Sequence, residues 1–153
     1  MNSSTEAQTE GTPKAFRPSI ALHISGDGLD FDEVTRTLGL TPTCTLRRGE
    51  ILEDVGQPAE RDLWAYRPLT EDGMTMDECV MRLWDALRAH KDYLRDLKRH
   101  FQVTVQCSCM SRRIGKHPPV NMGGLRLGHE CLSFFTELEI PLNVGLTHFH
   151  DAA

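Results

Sequence analysis

Apolar and polar residues alternate from Ser19 to Ser25, where Ile20, Leu22 and Ile24 share one face and Ala21 and His23 the other. That period of two predicts a half-buried strand. Gly26-Asp27-Gly28 then turns the chain. Asp30, three residues before Glu33, starts a short helix with Phe31, Val34 and Leu38 on one side and Gly39 as its C-cap. Thr43–Arg48 reads as an exposed strand and Leu63–Leu69 as a third, which Pro68 ends or confines to an edge. The longest signal is a helix over 75–99. Thr75 and Glu78 form a capping box, and Val80, Leu83, Trp84, Leu87, Leu94 and Leu97 keep a helical rhythm. Lys91, Arg95, Lys98 and Arg99 crowd its C-terminal half, where they suit the helix dipole. Phe101–Cys109 alternates as a strand. A helix over 128–138 follows, with Cys131, Leu132, Phe135 and Leu138 inward. Pro141–Phe149 is the last strand, with Leu142, Val144 and Leu146 on one face.

The order β-α-β-β-α-β-α-β predicts an α+β fold. We expect a two-layer α/β sandwich, ferredoxin-like with an added helix and strand. Residues 1–17 are polar and aperiodic, which predicts a disordered tail before a single domain over 18–153. No apolar run approaches the length a bilayer requires, and the first residues lack a signal-peptide core, so a cytoplasmic protein without a membrane partner is expected. Five cysteines, an odd number at spacings unlike a secreted framework, predict free thiols, mostly buried. The net charge of −5 argues against broad nucleic-acid binding and suits a protein partner with a basic surface.

Four groups of residues bear on chemistry. Asp27, Asp30 and Asp32 cluster, but each has a local role as turn, N-cap or first-turn acid. Cys107-Ser-Cys109 and His148-Phe-His150 are the metal candidates. On neighbouring strands, two thiolates and two imidazoles would suit tetrahedral zinc, in a zinc-binding protein or a small metal-dependent hydrolase, although burial also explains the cysteines. A Cys/His nucleophile pair is conceivable, but nothing selects one. Arg112, Arg113 and Lys116 form the dense basic cluster. Arg47 and Arg48 could extend that surface or pair across strands. His23, Trp64 and Tyr66 could line a pocket with them.

The stretch Ile24-Ser-Gly-Asp-Gly-Leu-Asp-Phe-Asp-Glu-Val-Thr-Arg-Thr-Leu-Gly-Leu-Thr-Pro-Thr43 resembles the opening motif of a bacterial family named domain of unknown function 4279. Arg48-Gly-Glu50, Trp64, Gly123-Gly-Leu-Arg-Leu127 and Leu138-Glu-Ile-Pro-Leu142 resemble its later motifs, so the likeness spans about 19–149. It brings no catalytic residues. One departure is Leu127-Gly-His-Glu130 where the family has Ser-Pro-Glu, which weakens the cap of the last helix. With no nucleophile elbow, cofactor loop or diagnostic acid/base pair, a non-enzymatic binding module is expected, in one version an immunity-like, toxin-neutralising protein. It would be a monomer, or a homodimer through the edge Thr43–Arg48.

Overall fold

In this computed structural model the described residues are 16–52, 56–71, 73–113 and 126–150, with only the backbone described at 16–17, 109–113 and 146–150. The elements are β1 (Phe16–Gly26), α1 (Phe31–Leu38), β2 (Cys44–Leu46), β3 (Asp62–Tyr66), α2 (Met76–Leu87), α3 (Lys91–Leu97), β4 (Gln102–Arg113), α4 (His129–Leu138) and β5 (Leu142–His150). The sheet order is β2-β3-β1-β4-β5. β1 runs antiparallel to both β3 and β4, and β2 antiparallel to β3. Those four strands have the ferredoxin-like order. The added unit is α4 with β5, which lies parallel to β4 and needs the helix as its crossover.

All the helices share one core with one face of the sheet. Ile20, Leu22, Ile24, Trp64, Val103, Val105 and Cys107 meet Val34, Leu38, Val80, Leu83, Leu87, Leu94, Phe134 and Leu138 there. Period two in the strands and period 3.6 in the helices place these residues inward. The other sheet face carries no helix among the described residues.

Several expectations change. The long helix is broken by a 3-10 turn at Arg88–His90. After Leu87 the next inward places fall on His90 and Lys91, so no apolar side chain anchors the helix through that turn. β3 ends at Tyr66, and Leu69 beyond Pro68 is exposed. β1 begins at Phe16, so Phe16 and Arg17 pair with β4 instead of belonging to a tail; residues 1–15 lie outside the described residues. In α4, Phe134 is fully buried while Leu132 is exposed, because the inward stripe runs Cys131, Phe134, Leu138. Val144 is 42% exposed because β5 is the last strand and no element covers its outer side among the described residues.

Three basic residues in and just after α3, Lys91, Arg95 and Lys98, reach a different helix from their own. Lys91 pairs with Glu137 at 2.9 Å, and the Arg95 guanidinium donates to the Glu137 carbonyl at 3.0 Å. Lys98 Nζ donates to the carbonyls of Leu138 and Glu139, both at 2.7 Å. Three cations thus sit at the negative end of the α4 dipole and partner its terminal carbonyls. At α4's other end Gly128 offers no side-chain cap, as its sequence implied, and Asp77 of α2 accepts the Gly128 N–H at 2.9 Å instead.

The C-cap of α4 is Glu139 at φ 50°, a left-handed conformation that costs a residue with a Cβ. Its ion pair with Lys98 is long, at 3.8 Å, and its side chain is exposed, so that pair adds little. Glu139→Gly should raise the unfolding free energy by about 0.5–1 kcal/mol, read from urea melts. A loss of stability would show that the Lys98 pair outweighs the backbone strain.

Candidate functional site

The face of the sheet away from the helices is the candidate site. β1 contributes Ser19, Ala21, His23 and Ser25, and register sets them opposite Ser108, Gln106, Thr104 and Gln102 of β4. On β3, Ala65 stands opposite His23 and Leu63 opposite Ser25. Ala21, Ala65 and Thr104 are buried, and the Ser19 and Ser108 hydroxyls bond across the strands. The side chains carry no formal charge at pH 7 with His neutral, and most can hydrogen-bond. His23 rises from a floor of small neighbours near the centre. Arg67, just beyond β3, is exposed and close enough to act on it.

Burial lowers the His23 pKa below its ordinary 6.5, and the positive charge of Arg67 lowers it further. Folding therefore favours the neutral imidazole, and the unfolded chain takes the proton first. The stabilisation is complete above 6.5 and is lost as pH falls from there through the lowered folded value. Wild type should therefore lose stability relative to His23→Gln as pH falls below about 6.5, read from denaturant melts. A difference that does not change with pH would count against this.

Trp64 and Tyr66 are not part of that face. Register sets Trp64 opposite Ile24 and Tyr66 opposite Leu22, on the helix side. Trp64 is fully buried, its indole N–H donates to Thr35 Oγ1 at 3.0 Å, and it stacks on Tyr66. His23 and the two aromatic residues therefore lie on opposite sides of the sheet, and the pocket expected to join them does not form.

Arg47 and Arg48 converge instead on Asp62, which sequence reasoning passed over. Asp62 is buried at the start of β3. One carboxylate oxygen accepts the N–H groups of Gly28 at 3.0 Å and Leu29 at 3.2 Å and the Arg47 guanidinium at 3.2 Å. The other accepts the Arg48 N–H at 2.9 Å. Arg47 also donates to the Leu29 carbonyl at 2.7 Å and lies over the Phe31 ring, 3.7 Å from its centroid. Arg48 faces Asp27 in an exposed pair at 3.4 Å, and the Arg47 N–H donates to Glu50 at 2.8 Å. The stretch carrying the family likeness, Gly26 to Phe31 with Arg48-Gly-Glu50, thus closes around one carboxylate. The Arg48 N–H does most to hold that carboxyl below its usual range. Desolvation opposes it, and Leu29, Arg47 and Gly28 reinforce it. One signal pointed to Asp62: it stands two residues before Trp64, an acid in the buried phase of an apolar strand.

Asp30 caps α1 through the N–H groups of Asp32 and Glu33, the local role expected for the acidic trio. β4 and β5 are neighbours, as the zinc candidate required, but their register separates its residues. Cys107 faces Val144 and Cys109 faces Leu146, whereas His148 faces Ser111 and His150 faces Arg113. Four strand positions, about 13 Å, separate Cys107 from the position opposite His148. The backbone register therefore does not set the two cysteines directly beside the two histidines. Cys107 is buried in the core. The side chains of Cys109, Arg112, Arg113, His148 and His150, and all of Lys116, lie outside the described residues. Among the described residues no three His, Cys, Asp or Glu side chains are placed to hold a metal. Burial pushes the Cys79 thiol up, and burial with Asp77 pushes Cys131 up to about 11, so neither is a ready nucleophile. No helix among the described residues is long and apolar enough to cross a membrane.

No curated protein and no solved structure matches the chain. Residues 15–147 match the family model described as Domain of unknown function (DUF4279), and that match covers nearly the whole domain, including β1, the loops around Asp62 and most of β5. The chain belongs to the DUF4279 family.

Proposed function

We propose that the protein is a non-enzymatic binding module that takes a protein partner on the helix-free face of its sheet. One observation carries this reading. The helices fill one face, while the other presents Ser19, His23, Ser25, Gln102, Gln106 and Ser108 in register, with Arg67 at its margin. A flat array of neutral donors and acceptors around one histidine suits a protein surface rich in backbone and amide groups. Among the described residues the array sets no acid beside His23, so no complete acid, base and nucleophile set is assembled there. The acidic chain as a whole, at −5, would speed encounter with a basic partner. A toxin-neutralising protein is the version with the clearest test.

The test is co-expression with a toxin encoded beside this gene. Wild type should restore growth. The double variant Gln102→Arg with Gln106→Arg should not, because two guanidinium groups would stand in the centre of the contact. Ser133→Arg, on the exposed side of α4, should rescue like wild type. Absence of rescue by wild type would end the toxin version. Full rescue by the double variant would end the sheet-face reading.

A further inference from the structure

We infer that β5 is a self-association edge, along which a second copy of this chain adds its own β5 antiparallel to make one continuous sheet. The two edges of the sheet differ in kind. β2 is three residues long and runs straight into Arg47 and Arg48. β5 is nine residues, Leu-Asn-Val-Gly-Leu-Thr-His-Phe-His, about 30 Å of extended chain. It contains no Lys, Arg, Asp, Glu or Pro. Edge strands that must stay single are normally shortened or marked with charge or proline, and β5 has none of these devices.

The ladder to β4 fixes which backbone groups are available. The Val105 N–H donates to the Pro141 carbonyl at 3.0 Å, and Val105 pairs with Leu142. Alternation along a parallel pair then turns the backbone of Asn143 and Gly145 toward β4. The N–H and C=O groups of Leu142, Val144, Leu146 and His148 point to the outer side, where no strand pairs with them among the described residues. Val144 faces the same side as the buried Cys107 yet remains 42% exposed, as a position awaiting one more strand would be.

Symmetry favours a second copy as the occupant, because its β5 offers the same outward groups, and charge allows it. Two chains of net charge −5 repel wherever their carboxylates meet. From Ile140 to His150 the sequence has no acid, so two copies can meet there without opposing carboxylates. A two-fold axis through Leu146 would set Val144 of one copy opposite His148 of the other and satisfy the outward groups of both strands. This contact is independent of the sheet face proposed above.

Light scattering over a concentration series should show a mass rising toward twice the 17.3 kDa of one chain. Val144→Pro removes an outward N–H but no bond to β4, a place where an edge strand tolerates proline. It should leave the circular dichroism spectrum intact and hold the protein at the single-chain mass. Thr45→Lys, on β2, should leave the dimer unchanged. Hydrogen exchange on the wild type gives a second reading: the amides of Leu142, Val144 and Leu146 should become slower as concentration rises. A mass that stays at one chain, a dimer that survives Val144→Pro, a dimer abolished by Thr45→Lys, or exchange at these amides independent of concentration would each overturn the inference.

Discussion

Trp64→Ala lowers the unfolding free energy by about 3–5 kcal/mol, the largest loss expected from any single core truncation in this fold. The indole has no exposed surface. It lies on β3 between strands β1 and β2, opposite Ile24 on one and Thr45 on the other, beneath α1. Truncation removes a large apolar surface and leaves a cavity in the middle of the sheet, where paired strands on both sides resist collapse. It also strands the Thr35 hydroxyl, but that residue is only half-buried and can turn to water. Trp64→Phe should therefore cost much less, since it keeps most of the volume and loses one hydrogen bond. A domain of ordinary stability, about 5–15 kcal/mol, would be brought close to unfolding by the alanine variant. Far-UV circular dichroism in urea is the measurement, because removing one of two tryptophans compromises fluorescence as a probe. A cost below about 1 kcal/mol would contradict the packing described here.

The features legible in sequence were those set by neighbours within a few residues. The Thr75–Glu78 box forms as read, with the Thr75 N–H donating to Glu78 at 2.7 Å and the Glu78 N–H to Thr75 at 3.3 Å. Asp30 and Gly39 begin and end α1, and Cys44–Leu46 is an exposed edge. The order of elements, together with their periods, also fixed the two-layer α+β class. What the sequence could not show is how strands align with one another. Period two separates Ile24 from His23 within β1, but it cannot say which side of β3 lies with which. Only the pairing of His23 with Ala65 shows that Trp64 is on the other face. The zinc candidate turned on the same unknown, since the sequence showed that β4 and β5 could be adjacent but not the offset between Cys107 and His148. The basic stripe of α3 was read against its own dipole, because nothing local reveals that the end of α4 lies beside it.

Asp62→Ala should lower the melting temperature by roughly 5–10 °C at pH 7 and make the protein's stability less sensitive to acid. The carboxylate is the common acceptor for three backbone N–H groups and one guanidinium, drawn from the β1–α1 turn and the segment after β2. Without it the buried Leu29 N–H loses its partner, the more exposed donors of Gly28, Arg47 and Arg48 must turn to water, and the tie between the two loops is gone. Asp62→Asn separates charge from shape. Its amide can accept through one oxygen only, and its NH2 group would oppose one set of donors, so it should recover part of the loss at most. The sign of the pH effect follows from the lowered pKa. Stability from the ionised carboxylate is complete above the ordinary value of 3.8 and is lost as pH falls through the depressed folded value. The gap between wild type and Asp62→Asn should therefore be constant from pH 7 to about 5 and should close below about 4. Glu78, also lowered by its capping-box partner Thr75, titrates in the same direction but is present in both proteins and cancels in the comparison. Thermal melts at pH 7, 5 and 3 measure the gap. A gap that widens in acid would mean that the protonated side chain, with its own O–H donor, fits these loops better than the ionised one, and that the knot is held by shape and not by charge.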